Sequence, residues 1–493
     1  MSAVREILDR LAAQGIVPTG VADDSRQVRR GDLFLAYPGD LADGRRYIPD
    51  AIGRGAIAVL WEPDGIFAWD SGLTATNAPC TGLRALAGPL AHAVCGRPTE
   101  KLSLIAVTGT NGKTTVSQFV AQAYPARCAV VGTLGAGFPG KLVETGFTTP
   151  EATTLMRLLA EFRQAGAAAC ALEASSIGIE EGRMNGALVD VAIFTNFTRD
   201  HLDYHGTMED YAAAKARLFT WPGLRTAIIN VDDPLGPKLL QTVQAKRVLA
   251  YGIGPEAIAA GANVVALAVR ATPEGQEFDL RLPDGEVAVK TGLLGRYNVS
   301  NLLAVAGVLH DAGGKPEDIA WRLQCLTAPA GRMERLGGGS EPLVVVDYAH
   351  TPDALENTLL ALRPVVSVRG GALHVVFGCG GNRDKGKRPE MGALAERLAD
   401  SVLLTSDNPR NEAPEAILDD IAAGMRNPVS EPNRATAIAT VITQAKAADV
   451  VLVAGKGHEN YQETGGVRVP FSDVEEARRA LAMRSAEGGE GNR

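Results

Sequence analysis

The segment Thr108–Thr115, TGTNGKTT, has the residue types and spacing of a phosphate-binding loop, because it follows an apolar stretch and precedes a helix-like one. Gly109 and Gly112 allow the backbone to approach a ligand closely, so that successive N–H groups can surround phosphate oxygens. We expect Lys113 to neutralise the β- and γ-phosphates of a nucleotide and Thr114 to offer its hydroxyl to Mg²⁺. The residues expected to bind the nucleotide in this loop are Gly109, Thr110, Asn111, Gly112, Lys113, Thr114 and Thr115.

The loop alone leaves the reaction class open. The usual spacing has a glycine where this chain has Val107, and an ordinary strand-to-helix turn is the structural alternative. Phosphate binding is compatible with a ligase, a kinase, an ATPase motor or a nucleotide-sensing switch. Other residues must therefore decide the function.

Three further residues are candidates for a metal site beside this loop. Glu173 ends the apolar stretch CALEASS, and Mg²⁺ prefers oxygen ligands of this kind. His201, in TRDHLDYH, is an unusual Mg²⁺ ligand, so a structural or hydrogen-bonding role is the favoured interpretation from the residues alone. Lys215 lies in the helix-like stretch YAAAKARLF, where an exposed helical lysine is the favoured interpretation.

Alternating apolar strands and helical stretches must position these residues. After the phosphate loop come the strand-like runs CALEA, VDVAIFTNF and RTAIINV, which predict a mostly parallel sheet with helices on both faces. Residues 264–290 instead alternate like a small antiparallel patch. Beyond about Gly331, four strand-like runs end in polar or glycine-rich loops, and ligands of open α/β sheets bind beyond such strand ends. These runs are LVVVDYA, LHVVFGCGG, SVLLTSDNP and VVLVAGKG.

The fold class predicted is α/β with three domains, since 493 residues exceed what one compact core accommodates. We place a small N-terminal α/β domain at residues 1–98. A central domain with the phosphate loop and a mostly parallel sheet follows at residues 99–331. A Rossmann-like α/β domain occupies residues 332–493.

Composition excludes several classes of partner. The net charge of -8 and a pI near 5.6 argue against a large nucleic-acid surface. No apolar run is long enough to span a bilayer, so no membrane insertion is expected. The six cysteines show no metal-like spacing and indicate reduced thiols, and the N-terminus has no signal-peptide pattern, so we expect a cytoplasmic protein.

A series of ordered motifs extends over nearly the whole chain. They are DSRQVRRGDLF, TGTNGKTT, FTTP, EASS, TNFTRDHLDYHG, YAAAKARLF, GRYNVSNLLAVA, GRME, VVDYAHTPDALE, GCGGNRDKGKRPEM, SDNPRNE and AGKGHE. In this order the motifs resemble the ATP-dependent Mur ligases of peptidoglycan synthesis. The resemblance implies that ATP phosphorylates the terminal carboxylate of a UDP-muramoyl acceptor and that an amine then attacks the acyl phosphate.

The resemblance also implies roles for individual residues. Lys113, Thr114, Glu173 and His201 match the phosphate and Mg²⁺ set, and Lys215 matches a carbamylated lysine that would be a further metal ligand. Nucleotide contacts are implied for Asn298, Arg332, Asp347 and His350. Binding of the UDP-muramoyl dipeptide is implied for Ser25, Arg26, Thr148, Thr149, Ser175 and Arg183. The chain departs from the motif pattern at Ile177, Glu181 and Asn382.

The segment Asp407–Arg410, DNPR, bears on which amino acid is added. Family members that add meso-diaminopimelate carry this arginine, and lysine-adding members lack it. A guanidinium can bind the distal carboxylate of diaminopimelate in bidentate fashion, whereas lysine has no group there. The amino-acid site implied by the resemblance consists of Arg383, Asp407, Asn408, Pro409, Arg410, Gly455 and Glu459.

The expected partners are therefore ATP, Mg²⁺, UDP-N-acetylmuramoyl-L-alanyl-D-glutamate and meso-diaminopimelate, and a monomer is expected. A lysine-adding member of the same family is the nearest alternative, and Arg410 argues against it. A folylpolyglutamate synthase shares the phosphate loop but is disfavoured by DSRQVRRGDLF and DNPR. A non-catalytic nucleotide-binding or scaffold protein is disfavoured by the presence of both Lys113 and Glu173.

Overall fold

The computed structural model describes residues 2–39 and 42–490. The chain forms two compact units, Met1–Val264 with Leu303–Gly314 and Val265–Leu302 with Lys315–Arg493. Each has its own hydrophobic core between sheets and helices.

The first unit contains twelve strands and ten helices among the described residues. The strands are β1 (Gly20–Ala22), β2 (Asp32–Ala36), β3 (Ala58–Trp61), β4 (Thr76–Pro79), β5 (Ser103–Thr108), β6 (Cys128–Gly132), β7 (Gly135–Phe138), β8 (Lys141–Val143), β9 (Ala169–Glu173), β10 (Val191–Phe194), β11 (Thr226–Asn230) and β12 (Arg247–Ile253). The helices are α1 (Ser2–Ala13), α2 (Ile48–Gly53), α3 (Leu83–Val94), α4 (Lys113–Ala123), α5 (Ala152–Gln164), α6 (Ser176–Glu180), α7 (Leu202–His205), α8 (Met208–Ala216), α9 (Gly236–Thr242) and α10 (Pro255–Ala259).

Strands β1 to β4 form a parallel four-stranded sheet near the N-terminus. The main sheet of this unit has the order β12-β11-β10-β5-β9-β6-β7-β8, and every pairing from β12 to β6 is parallel. Strands β7 and β8 add an antiparallel edge. The central strands are buried on both faces, which is why runs such as LIAV lack the polar alternation of a half-exposed strand.

The second unit begins with three antiparallel strands. Its strands are β13 (Val264–Thr272), β14 (Gly275–Leu282), β15 (Gly285–Thr291), β16 (Glu334–Gly337), β17 (Leu343–Asp347), β18 (Leu373–Phe377), β19 (Ser401–Leu404), β20 (Val450–Ala454), β21 (Tyr461–Thr464) and β22 (Val467–Pro470). Helix α11 (Arg296–Asp311) belongs to this unit as far as Leu302, and its remaining residues belong to the first unit. The other helices of the second unit are α12 (Pro316–Gln324), α13 (Pro352–Arg369), α14 (Lys387–Leu398), α15 (Pro414–Ala422), α16 (Arg434–Gln444) and α17 (Asp473–Glu490).

A five-stranded sheet of order β16-β17-β20-β18-β19 is the centre of this unit, and only the β16 pairing is antiparallel. Strands β21 and β22 form a separate hairpin. Helix α13 illustrates how local sequence sets the boundaries. The Thr351 hydroxyl accepts a hydrogen bond from the N–H of Ala354 at its start, and Gly370 adopts a left-handed conformation at its end.

The predicted α/β class with a mostly parallel central sheet is confirmed, and so is the antiparallel patch at residues 264–290. The six cysteines are all free thiols. None of the helices in the described ranges combines the length and apolarity needed to cross a membrane. The three-domain division stays a prediction.

Candidate functional site

The register of three parallel strands brings the phosphate loop together with Glu173. Val107 of β5 pairs with Glu173 at the end of β9, and Thr108 pairs with Phe194 at the end of β10. The loops that follow these strands therefore leave the sheet at the same edge, as expected for a ligand site in an open α/β sheet.

The phosphate loop is held by the segment that follows β10. The carbonyl of Asn196 accepts the N–H of Thr110, and its side-chain Oδ1 accepts the N–H of Asn111, both at 2.8 Å. A Cβ at residue 109 would lie 1.9 Å from the Thr195 Oγ1 atom, and φ of Gly109 is +150°, so only glycine fits there. Lys113 donates from Nζ to the carbonyl oxygens of Gly109 and Thr110, each at 2.8 Å. The lysine thus lies folded over its own loop.

Glu173 is buried at the end of β9 and is surrounded by hydroxyl groups. Its carboxylate accepts the hydroxyl of Thr114 at 3.0 Å and both the N–H and the hydroxyl of Thr133, at 2.9 and 3.1 Å. Burial raises the pKa of Glu173, while the nearby Lys113 ammonium and these hydrogen bonds lower it. The arrangement holds a carboxylate beside the phosphate loop with its orientation fixed.

Lys215 is buried on helix α8, which overturns the exposed-helix interpretation. Its Nζ donates to the carbonyl of Gly109 at 2.9 Å and lies 4.3 Å from the centre of the Tyr211 ring. Burial lowers the pKa of Lys215 well below its ordinary value, and the charge of Lys113 lowers it further. Two lysines thus converge on one carbonyl oxygen.

His201 lies at the start of helix α7 with φ of +52°. Its ring is 42% exposed and its Nε2 is 3.5 Å from Asp200. Partial burial lowers the pKa of His201, and Lys113 and Lys215 also act on it electrostatically. Because Lys113 influences Glu173, His201 and Lys215 alike, these four groups form one electrostatic cluster.

The donor set of this cluster suits Mg²⁺ chemically. The Thr114 hydroxyl and the Glu173 carboxylate supply adjacent oxygen atoms, which Mg²⁺ prefers, and it normally completes its shell with water and phosphate. Over residues 2–39 and 42–490, no group of three or more His, Cys, Asp or Glu side chains is arranged to hold a metal ion. A Mg²⁺ site here would therefore depend on ligand phosphates, and on a carbamate if Lys215 carries one.

Four residues expected to bind the muramoyl peptide lie next to Glu173. Thr148 shares a 3.1 Å hydrogen bond with Thr133, which also contacts the Glu173 carboxylate. The Thr149 hydroxyl donates to the Glu173 carbonyl at 2.7 Å and lies 2.9 Å from the Ser175 hydroxyl. Arg183 donates to the Thr149 carbonyl at 3.0 Å. One hydrogen-bonded network thus connects these residues to the carboxylate.

The other two predicted dipeptide contacts lie in a 3₁₀ turn near the N-terminus. Ser25 is buried and hydrogen-bonded to Asp50, and Arg26 forms a two-pronged contact with Asp24. The neighbouring Gln27 accepts the hydroxyl of Thr154 on helix α5 at 2.8 Å. The turn is thereby tied to the helix that directly follows the Thr148–Thr149 segment.

In the second unit, Asp347 is buried at the end of β17. It accepts the N–H groups of Met333 and Ala349 at 2.8 and 2.9 Å, and burial raises its pKa while Arg332 lowers it. The Arg332 guanidinium lies 4.7 Å from the centre of the Tyr348 ring. The His350 ring also packs on Tyr348, with 4.6 Å between the ring centroids. Arg332, Asp347 and His350, three of the predicted nucleotide contacts, are thus brought together.

Asn298, the fourth predicted nucleotide contact, is buried in helix α11. Its side chain donates to the Leu294 carbonyl at 2.8 Å and accepts a hydrogen bond from Asn301 at 3.1 Å. These bonds close the first turns of the helix.

The predicted amino-acid site is assembled at the carboxyl ends of β18, β19 and β20. A Cβ at Gly380 would lie 2.8 Å from Arg410 Nη1 and 3.7 Å from Arg383 Cγ, so the two arginines flank this glycine. Arg410 donates to the Gly381 carbonyl at 2.8 Å. A Cβ at Gly455 would lie 2.6 Å from Asp407 Oδ2, an oxygen that has no hydrogen-bond partner among the described residues.

The other end of this site is formed by Asn408 and Glu459. The Asn408 amide donates to Glu459 Oε2 at 2.7 Å. Pro409, between Asn408 and Arg410, has its carbonyl 1.9 Å from where a Cβ at Gly381 would stand, which leaves no room for a side chain there. The structure therefore gathers all seven predicted residues into one region, with Arg383 and Arg410 beside Gly380 and Glu459 beside Asn408.

Sequence reasoning missed three residues that organise these sites: Thr133, Tyr211 and Lys456. Thr133 comes one residue after β6, and only the register of β6 with β9 reveals its proximity to Glu173. Tyr211 is one turn before Lys215 on helix α8, a spacing that could have suggested a contact. Lys456 lies inside the quoted motif AGKGHE, yet nothing in the motif indicates that it is fully buried.

Comparison with known proteins places this geometry in context. Three family models match the chain: Mur ligase family, catalytic domain, over residues 18–80; Mur ligase middle domain over residues 107–309; and Mur ligase, glutamate ligase domain over residues 331–457.

Individual relatives match along nearly the whole chain. A protein of Ralstonia nicotianae named UDP-N-acetylmuramoyl-L-alanyl-D-glutamate--2,6-diaminopimelate ligase is 52% identical, with 97% of this chain and 96% of the relative covered. A protein of the same name from Pseudomonas aeruginosa is 51% identical, with 93% and 94% covered. A solved structure, also of a UDP-N-acetylmuramoyl-L-alanyl-D-glutamate--2,6-diaminopimelate ligase, matches with a TM-score of 0.72 and 38% identity over 95% of each chain.

Proposed function

This chain belongs to the Mur ligase family, and we propose that it adds meso-diaminopimelate to UDP-N-acetylmuramoyl-L-alanyl-D-glutamate at the expense of ATP. The names of relatives about half identical over nearly the full length support this activity. The sequence-based expectations of a cytoplasmic, monomeric enzyme are part of the same proposal.

The observation that carries the proposal is the cluster of Lys113, Glu173 and Lys215 around the phosphate loop. Activation of a carboxylate by ATP brings several negative groups together, and preorganised cations lower the energy of such a transition state. Lys113 would exchange its contacts with the Gly109 and Thr110 carbonyls for contacts with phosphate oxygens. The Thr149, Ser175 and Arg183 network lies beside this cluster, where it can orient the acceptor carboxylate.

The reaction consists of two transfers. An oxygen of the acceptor carboxylate attacks the γ-phosphorus of ATP and ADP leaves, which gives an acyl phosphate. The amine then attacks the acyl carbon, the C–O bond to phosphate breaks, and the nitrogen loses a proton to the released phosphate or to solvent as the amide forms. Mg²⁺ would supply charge neutralisation at the phosphates, held by Thr114, Glu173 and His201 and by Lys215 as a carbamate.

Specificity for diaminopimelate is supported by the arginines that flank Gly380. Arg410 and Arg383 present guanidinium groups that can bind the distal carboxylate, and Glu459 can bind the distal ammonium. Lysine has no distal carboxylate, so it would leave both arginines without this partner.

The test is phosphate release by the purified protein with ATP, Mg²⁺ and UDP-N-acetylmuramoyl-L-alanyl-D-glutamate, with meso-diaminopimelate or L-lysine offered in parallel. We expect a strong preference for diaminopimelate that is lost in Arg410→Ala, while the control Arg426→Ala keeps it. Equal use of lysine by the wild type would contradict the specificity and leave the ligase class standing. Absence of turnover with either amine would contradict the proposed acceptor.

A further inference from the structure

Lys456 is a fully buried lysine at the centre of the predicted amino-acid site. It follows β20 and Gly455, and its side chain has no exposed surface. A buried ammonium is costly unless it is paired and hydrogen-bonded. The groups that surround the Lys456 ammonium are therefore the ones that compensate its burial.

The Lys456 ammonium contacts two of the residues predicted to bind the amino acid. Nζ donates to Asn408 Oδ1 at 2.9 Å and to Glu459 Oε2 at 3.0 Å, and it lies 5.5 Å from the centre of the Tyr461 ring. The Asn408 amide donates to the same Glu459 oxygen at 2.7 Å. The three side chains thus form a closed triangle of hydrogen bonds.

This triangle fixes the orientation of both partners. Asn408 Oδ1 accepts from Lys456 and from the N–H of Glu463, so the amide cannot rotate without losing two bonds. Glu459 uses only Oε2 in the triangle, which leaves Oε1 to face another donor. The ion pair between Lys456 Nζ and the Glu459 carboxylate, at 3.0 Å, also compensates the charge of the buried lysine.

We propose that Lys456 is a positioning residue for the amine substrate, which acts by aiming the Glu459 carboxylate and the Asn408 amide at the distal end of that amine. This inference rests on the proposed function. Lys456 itself does not need to touch the substrate, because its donors are directed at protein oxygens. Binding of a substrate with a distal ammonium depends on this orientation of Glu459 and Asn408, whereas binding of a substrate without the ammonium does not.

The experiment measures steady-state KM and kcat for all three substrates in the wild type, Lys456→Met and the exposed-lysine control Lys446→Met. For Lys456→Met we expect KM for meso-diaminopimelate to rise at least about tenfold, as for loss of a charge-assisted hydrogen bond. KM for ATP and for the UDP-linked acceptor should change less than about twofold, and the control should match the wild type. A parallel rise of all three KM values, or no change for the amine, would overturn the positioning role.

Two further arms separate positioning from a general structural effect. In a Glu459→Gln background, Lys456→Met should have a smaller effect on diaminopimelate use, because one of the two residues through which it acts is already altered. With 2-aminopimelate, which lacks the distal amino group, the fold-loss caused by Lys456→Met should be smaller than with diaminopimelate. If both arms instead show the full loss, the inference is wrong.

Two outcomes distinguish this inference from the proposed function. A wild type that does not use diaminopimelate contradicts the proposed function, whereas an active wild type with an unaffected Lys456→Met contradicts only the positioning role. If Lys456→Met does not fold, Lys456→Gln, which keeps a donor toward Asn408 and removes the charge, replaces it in every arm.

Discussion

Gly132 and Glu173 are in such close contact that a Cβ at residue 132 would lie 2.0 Å from Glu173 Oε1. Gly132 ends β6, and Glu173 ends the neighbouring β9. The absence of a side chain at position 132 is therefore what lets the carboxylate reach the hydroxyls of Thr114 and Thr133.

We expect Gly132→Ala to displace the Glu173 carboxylate and to lower kcat/KM about 10²-fold, as for loss of a preorganised group in an active site. Phosphate release, measured over a range of substrate concentrations to obtain kcat/KM, is the measurement. Gly53→Ala is the matched control, because a Cβ built there meets no heavy atom within 4 Å from the described residues outside its own helix turn. Wild-type activity in Gly132→Ala would show that the position of Glu173 does not matter for the reaction.

Lys113→Ala should lower kcat/KM by about 10²–10³-fold, because the cation that faces the phosphate loop is lost. The exposed Lys238→Ala should behave as the wild type. Nucleotide affinity, measured by calorimetry, is expected to fall in parallel. Unchanged affinity and turnover would exclude a phosphate-binding role for Lys113.

Lys215→Met should abolish turnover and yet stabilise the protein in the absence of CO₂ and nucleotide. The pKa of Lys215 is lowered by burial, so the folded state disfavours its proton, and a buried methionine removes that cost of about 1–3 kcal/mol. The stabilisation should be largest below the lowered pKa and should fade as the pH rises toward the ordinary pKa of lysine.

The readout is the thermal unfolding midpoint of Lys215→Met against the wild type across pH, with the exposed Lys246→Met as control. A destabilised Lys215→Met would mean that the lysine is a net structural contributor. Mass spectrometry of the native wild type, with and without bicarbonate, tests whether Lys215 carries a carbamate.

Glu412 makes an acid-sensitive contribution to stability near the amino-acid site. Its carboxylate accepts two hydrogen bonds from the buried Arg388, each at 3.0 Å, and further contacts from the Asn382 N–H and from Lys385. These lower its pKa to about 2. The stabilisation is therefore present above the ordinary glutamate pKa and is lost as the pH falls toward about 2.

Accordingly, Glu412→Gln should unfold at lower temperature than the wild type at neutral pH. The difference between the two unfolding midpoints should shrink below about pH 4.5. Glu209→Gln, on an exposed helical face, is the control. A difference that is independent of pH would contradict the assignment to the Glu412 charge.

The sequence predicts the parts of the site that depend on chain order. Glycines and Lys113 within one short segment define the phosphate loop, and apolar runs that stop at Glu173 or Asp347 place these acids at strand ends. Contacts that depend on register or packing are not predictable in this way. From the sequence, Lys215 is indistinguishable from an exposed helical lysine, because the carbonyl that accepts its hydrogen bond belongs to Gly109, 106 positions away.

The same limit applies to the second unit. Arg410 adopts φ of +52°, and no residue in DNPR predicts this left-handed conformation. Strand β21 maintains this conformation through Glu463. Its N–H donates to Asn408 Oδ1, and its carbonyl accepts the N–H of Arg410 at 2.9 Å. Only the fold brings this strand to the loop.

Glu463 contacts the DNPR loop only through its own backbone N–H and carbonyl groups. Any residue except proline could supply them, so position 463 can vary without loosening the loop. The neighbouring Gln462 differs, because its side chain donates to the Asp407 carbonyl at 2.8 Å. A divergent side chain at position 463 is therefore a poor guide to which amine a relative accepts.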